Sequence, residues 1–172
     1  MDAICVQYYD APCGRMILGS YAGRLCLCDW LENRRRTQID ARLQRMLAAR
    51  YEESSSDVAL RAVTELEEYF SGVRTAFNTP LLMVGTEFQK HVWRALCAIP
   101  YGSIISYAEE ARQLGRADAV RAVAHANGAN ALSVLVPCHR VLGSDGSLGG
   151  YGGGLDVKRY LLAVEGSDAM LR

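Results

Sequence analysis

The sequence predicts an α/β fold in two units: a small N-terminal sheet with helices over residues 1–83, then a C-terminal winged helix-turn-helix domain over residues 84–172. Three observations predict it. The first thirty residues hold short apolar or alternating runs separated by turn chemistry. From Thr86 onward, two capping boxes open short amphipathic helices linked through glycine-containing turns. A glycine-rich stretch, Gly143 to Gly154, then offers the composition of a small β wing.

The N-terminal runs are Cys5-Val6-Gln7-Tyr8-Tyr9, Arg15-Met16-Ile17-Leu18 and Leu25-Cys26-Leu27-Cys28, divided by Ala11-Pro12-Cys13-Gly14 and Ala22-Gly23. A helix follows with Ile39, Leu43, Met46 and Leu47 on one face. Its basic start, Arg34-Arg35-Arg36, reads as a solvated loop rather than a phosphate site. Glu52-Glu53-Ser54-Ser55-Ser56 is a polar link. The next helix, about Val58 to Ser71, turns Val63, Leu66 and Phe70 inward and stops before Gly72. Thr75 to Met83 is an extended connection.

In the second unit, Thr86-Glu87-Phe88-Gln89 starts a helix with Phe88, Val92 and Leu96 on one face, ended by Pro100-Tyr101-Gly102. Ser106-Tyr107-Ala108-Glu109 starts a second, ending at Gly115, and a third runs from near Asp118 to near Gly128. Val134-Leu135-Val136 reads as a buried strand. A last helix, Asp156 to Glu165, buries Val157, Leu161 and Val164 and stops at Gly166.

Composition excludes several classes. No apolar run approaches the ~20 residues that span a bilayer, and the N-terminus lacks a signal-peptide pattern, so an intracellular protein without membrane contact is expected: cytoplasmic, or nuclear in a eukaryote. The six cysteines include no CxxC pair and read as free thiols. A formal net charge of zero argues against a basic nucleic-acid coat. Locally the balance differs: between Ala111 and Ser144 the single acid is Asp118, against Arg112, Arg116, Arg121 and Arg140. Any nucleic-acid contact belongs there.

Cys138 beside His139 is the sharpest chemical feature. A thiolate is a strong nucleophile and an imidazole can take its proton, but adjacent side chains rarely aim at one another, so a structural pair remains open. No four-ligand zinc spacing emerges with His91 and His125.

The wider arrangement is more specific. Ile104-Ile105-Ser106-Tyr107, Arg121-Ala122-Val123, Asn130, Val136-Pro137-Cys138-His139-Arg140-Val141, Gly150-Tyr151-Gly152-Gly153-Gly154 and Leu161-Leu162-Ala163-Val164-Glu165-Gly166 together resemble the O6-alkylguanine-DNA alkyltransferase family. The resemblance is strong from Thr86 to Gly166 and general before it. With Cys at the acceptor position, the chain differs from the related alkyltransferase-like proteins, which carry Trp there and only bind lesions.

The resemblance implies transfer of an alkyl group from guanine O6 to Cys138, once per molecule, with no metal or organic cofactor. It implies that His139 is the base acting through a water and that Glu165 orients it. Tyr107 becomes the acid partner of the departing base, and Asn130 ties the nucleophile's turn to the helix-turn-helix. Val136, Pro137, Tyr151 and Gly152 become the substrate pocket. The implied partner is double-stranded DNA containing O6-alkylguanine, entered through the minor groove by a monomer. Arg121 then fills the space left by a flipped nucleotide, and the small Ala122 and Ala126, with Ala119, allow close approach.

Three departures stand out. Ala117 replaces a proline common before the third helix. Gly152 replaces a larger residue, which implies a wider pocket. Cys5 and Cys26 lie near positions where some relatives bind zinc, but their histidine partners are missing. Two rivals remain: a non-catalytic helix-turn-helix regulator or lesion-binding protein, and a cysteine hydrolase, which lacks a nucleophile elbow here.

Overall fold

Strands β1 (Ile4–Ala11), β2 (Gly14–Tyr21) and β3 (Arg24–Trp30) form an antiparallel meander in the computed structural model, which describes residues 2–168. Positions 1 and 169–172, the outer ends of the two expected units, lie outside the described residues. Ala22 and Gly23 both adopt positive φ at the second turn, the twist that a two-residue hairpin needs. A fourth strand, β4 (Tyr51–Glu53), pairs in parallel with β1 and gives the order β3-β2-β1-β4. This corrects the reading of Glu52-Glu53 as part of a polar link. A three-residue edge strand with outward carboxylates carries no apolar alternation, so nothing in the composition marks it.

Helices cover both faces of this sheet. α1 (Arg36–Leu47) packs Ile39 and Leu43 against Ile4, Val6, Ile17 and Leu27. α2 (Asp57–Phe70), capped by Ser56, packs Ala59, Ala62, Leu66 and Tyr69 over Met16, Leu18 and Leu25. The alternation Met16-Ile17-Leu18 sends neighbouring side chains to opposite helices. The core beneath α2 continues into the second half of the chain, where Val92, Trp93, Leu96, Leu132 and Val136 join it.

In that half, α3 (Glu87–Cys97) opens with both arms of its capping box formed. α4 (Tyr107–Gln113) and α5 (Val120–Gly128) make the helix-turn-helix, with Gly115 at positive φ in the turn. Ser106 caps α4, while Glu109 bonds Arg112 and Gln113 instead of closing the second arm of that box. β5 (Ile105–Ser106) pairs in parallel with β6 (Val141–Leu142), and α6 (Leu155–Val164) closes the fold. No helix among the described residues is long and apolar enough to cross a membrane.

Two expected β features are absent. Val134-Leu135-Val136 is a buried turn, with Val134 at φ 73°, not a strand. A short apolar run reports burial and not conformation. The stretch from Gly143 to Gly154 is a loop without strands. Its tight turn at Ser144-Asp145-Gly146 is present, closed by the Gly143 N–H donating to the Ser147 carbonyl at 2.9 Å.

Candidate active site

Cys138 begins a single 3-10 turn, Cys138–Arg140, at the floor of a cleft of about 550 Å³. Asn130 holds this turn. Its amide donates to the Val136 carbonyl at 2.8 Å and to the Cys138 sulfur at 3.4 Å, and its oxygen accepts from the Leu132 N–H at 2.9 Å. One side chain therefore ties the segment after α5 to the turn that carries Cys138. Burial pushes the thiol up to about 11, while the Asn130 bond and the Lys158 charge pull the other way.

His139 and Glu165 meet beneath the cysteine, both buried, with His139 Nε2 and Glu165 Oε2 2.6 Å apart. Glu165 is the residue that ends α6. Burial alone raises its pKa; bonds from His139, Arg140 and Tyr69 overcome that and hold it at about 2. Arg140 donates from Nε to Oε1 at 2.7 Å and from Nη2 to Oε2 at 3.1 Å, and the Tyr69 hydroxyl donates to Oε2 at 2.6 Å. Burial lowers the His139 pKa against the pull of Glu165. A neutral imidazole facing an ionised carboxylate must donate from Nε2. Its Nδ1 is then a bare acceptor, buried and bonded to no protein atom among the described residues.

Lys158, wholly buried, donates to the carbonyls of Val141 (2.7 Å), Leu148 and Gly150 (3.2 Å), which pins the glycine-rich loop over the cleft. Burial lowers it to about 8. Tyr107 closes the opposite side, its hydroxyl 3.5 Å from the Gly150 carbonyl, and burial raises it to about 12. At neutral pH it is a proton-bearing phenol. Tyr151 also lines the cleft and accepts from Trp30 Nε1 at 3.0 Å.

The pocket is narrower beside Gly152 than its missing side chain implies. A Cβ there would lie 2.6 Å from Asn33 Nδ2, and one at Gly153 would collide with the Trp30 ring. The N-terminal half fills the space, so the loop needs glycine for that close approach. Val136 and Pro137 are buried beneath the turn instead of facing the cleft; Val136 serves through its carbonyl.

The basic run is no solvated loop either. Arg36 pairs with Asp29 at 2.7 Å and Asp40 at 2.8 Å, Arg35 donates to the His125 carbonyl at 3.1 Å, and Arg34 and Arg35 line the cleft. Asp29 also bonds Asn33 and Ser133, and β3 docks the Ala131–Ser133 backbone. On α5, Arg121 and Ala122 are exposed, whereas Ala126 is 2% exposed and packs in the core, its carbonyl taking the Trp93 indole. Helical spacing places Ala126 one turn after Ala122, but the helix rotates it inward, so it offers DNA no surface.

Tyr69, Arg140, Lys158, Trp30 and Asn33 are site residues that sequence reasoning missed. Arg140 lies inside the motif and Lys158 is a lone cation on the inner side of α6, and both are visible in principle. Tyr69, Trp30 and Asn33 reach the site only through tertiary packing.

Fold and site define a protein that joins a helix-turn-helix to a cleft thiol beside a carboxylate-oriented imidazole. Comparison with known proteins agrees. Residues 87–167 match the family model described as 6-O-methylguanine DNA methyltransferase, DNA binding domain. A methylated-DNA–protein-cysteine methyltransferase of Methanosarcina barkeri is 40% identical over 162 residues, covering 92% of this chain and 97% of that protein. One of Mycolicibacterium paratuberculosis is 55% identical over 104 residues, 60% of this chain and 63% of that protein. The crystal structure of Mycobacterium tuberculosis OGT in complex with DNA matches with a TM-score of 0.80 and 37% identity, covering 98% of this chain and 95% of that one. The chain belongs to the methylated-DNA–protein-cysteine methyltransferase family.

Proposed function

We propose that this chain repairs DNA directly, moving an alkyl group, methyl above all, from guanine O6 to the sulfur of Cys138. The observation that carries the reading is the cleft-floor thiol lying next in sequence to an imidazole that Glu165 fixes with its free nitrogen unprotonated. The thiol proton passes to His139 through a water, and the thiolate attacks the alkyl carbon in line. The S–C bond forms as the C–O6 bond breaks, and its electron pair leaves with guanine. Tyr107, a neutral phenol, donates to the departing base. The displacement balances without a metal or cofactor. Because a thioether has no easy hydrolytic exit, each molecule acts once.

The target atom lies inside the duplex, so the nucleotide is flipped out, and the exposed Arg121 with Ala122 enters the minor groove. We take residues 1–83 and 84–172 as the two units, an intracellular monomer as the working form, and double-stranded DNA bearing O6-alkylguanine as the partner. The start of the family match at residue 87 supports the division.

Intact-mass measurement after mixing with O6-methylguanine duplex tests the reading. One methyl per chain, mapped to Cys138 and lost in Cys138→Ala while DNA binding survives, is expected. Multiple turnover, transfer to the exposed Cys97, or DNA binding with no mass gain in the wild type overturns it.

A further inference from the structure

One buried acid takes no part in this chemistry. Glu110 lies on α4 one turn after Tyr107 and is 1% exposed. Its carboxyl group accepts from Asn127 of α5, whose amide donates to Oε1 at 2.7 Å. Asn127 is itself buried and lines the cleft together with Tyr107 and Cys138. Two atoms of this pair, Glu110 Oε2 and Asn127 Oδ1, are buried and have no hydrogen-bond partner among the described residues. With an ionised carboxylate, both are acceptors, and each costs the full desolvation of an unmade bond.

A single proton removes both deficits. Carboxyl and carboxamide are planar groups of matching size, so the bond that joins one pair of atoms brings the other pair within reach. We infer that Glu110 is a carboxylic acid whose O–H donates to Asn127 Oδ1 while the Asn127 amide donates to Oε1, and that this paired lock positions α4 and α5 around the cleft. Tyr107 and Arg121 are then set relative to each other by a bond that exists only while the proton is held.

The surroundings agree. Two titratable groups feel the Glu110 charge, which raises the pKa of Tyr107 on its own helix and of Cys138 on the 3-10 turn. Both are acids, neutral near pH 7, and neither compensates a carboxylate. Burial accordingly pushes Glu110 up to about 7, with the Asn127 bond pulling slightly downward. A group held above its unfolded value contributes stability that is complete below pH ~4.5 and is lost as pH rises through ~7. Above neutrality the lock opens.

Glu110→Gln is the decisive variant, because a glutamine amide keeps both bonds at every pH. In wild-type protein labelled with ¹³Cδ-glutamate, one carboxyl resonance should titrate near pH 7. The melting temperatures of variant and wild type should coincide near pH 4.5, and the variant's should be higher by ~3 °C or more at pH 8.5. The ratio of variant to wild-type single-turnover rates on O6-methylguanine duplex should rise at least ~3-fold from pH 6 to 8.5. This last arm rests on the alkyl transfer proposed above; the resonance and the melting curves do not, so failure of the reaction leaves them readable. All glutamates titrating below ~5.5, or a Glu110→Gln chain that cannot fold at pH 6, would overturn the acid–amide pair. A resonance near 7 with a rate ratio flat in pH would overturn its positioning role.

Discussion

Glu165 Oε2 accepts from His139 Nε2 at 2.6 Å and, at the same 2.6 Å, from the Tyr69 hydroxyl, so the carboxylate that fixes the imidazole also bolts α2 to the end of α6. Arg140 grips the same carboxylate with two nitrogens. An acid at a helix C-terminus is ordinarily unfavourable against the helix dipole. Here three donor side chains offset that, so Glu165 holds the imidazole and the fold together.

Glu165→Gln should therefore fail twice. A glutamine leaves one neutral oxygen for the donors of His139, Tyr69 and Arg140, so His139 loses its ionised acceptor, and single-turnover transfer should slow ~10²-fold or more. Arg140, 7% exposed, is left without its counter-charge, which costs about 3–5 kcal/mol in a buried pair. Rates taken below the variant's melting temperature separate the two effects. An unchanged rate there would show that Glu165 only holds the fold.

The same carboxylate sets an acid limit on stability. Its folded pKa, about 2, lies below the ordinary value of 4.5, so its contribution is complete above pH ~4.5 and is lost as pH falls toward 2. Glu65, lowered by bonds from Thr79 and Asn78 against its burial, acts in the same direction. Denaturant melts between pH 6 and 2.5 should show a steep loss of wild-type stability, about 3 kcal/mol of it from Glu165. In Glu165→Gln that part of the slope should vanish.

Substrate range should be governed from across the cleft. Asn33 occupies the room beside Gly152, so Asn33→Ala should enlarge the pocket and favour bulky groups. Asp29 keeps its Arg36 and Ser133 partners, so the loop stays in place. Reaction with free O6-benzylguanine should rise several-fold relative to methyl transfer. Equal changes for both substrates would mean that Asn33 does not shape the pocket.

The sequence carries the cysteine's side of this site well, because Cys138, His139 and Arg140 are contiguous and Glu165 falls at a helix end that glycine marks. It carries the other wall poorly. Tyr69 looks like any inward aromatic on α2, and nothing local tells that its hydroxyl reaches a carboxylate in the last helix. The one legible hint is Asp29, an acid between Cys28 and Trp30 that follows the apolar run Leu25-Cys26-Leu27-Cys28, with Arg36 one loop later. A buried charge needs a partner, and that pairing fixes the loop carrying Asn33 and Arg35 against α5. Ala126 shows the opposite failure: alanine spacing marks a helix but does not say which side faces solvent.

Arg121 provides a test that separates base extrusion from simple charge attraction. It is exposed near the start of α5, while Arg35 and Trp93 hold that helix from behind through the carbonyls of His125 and Ala126. Flipping a nucleotide out of a duplex costs a few kcal/mol of stacking and pairing, and far less where the base is already unpaired. If the Arg121 side chain fills the gap and bonds the orphaned partner base, its benefit is confined to duplex DNA. An arginine that only touches phosphate helps duplex and single strand alike and steepens the salt dependence. Arg121→Ala should thus slow duplex repair by ~1–3 kcal/mol of apparent barrier, roughly one to two powers of ten. It should scarcely alter reaction with free O6-benzylguanine, which needs no flipping. The deciding quantity is the ratio of single-turnover rates on duplex, single-stranded and free-base substrates, wild type against variant. A loss of equal size on all three would trace to damaged pocket geometry, and the assignment of Arg121 to the vacated space would fall.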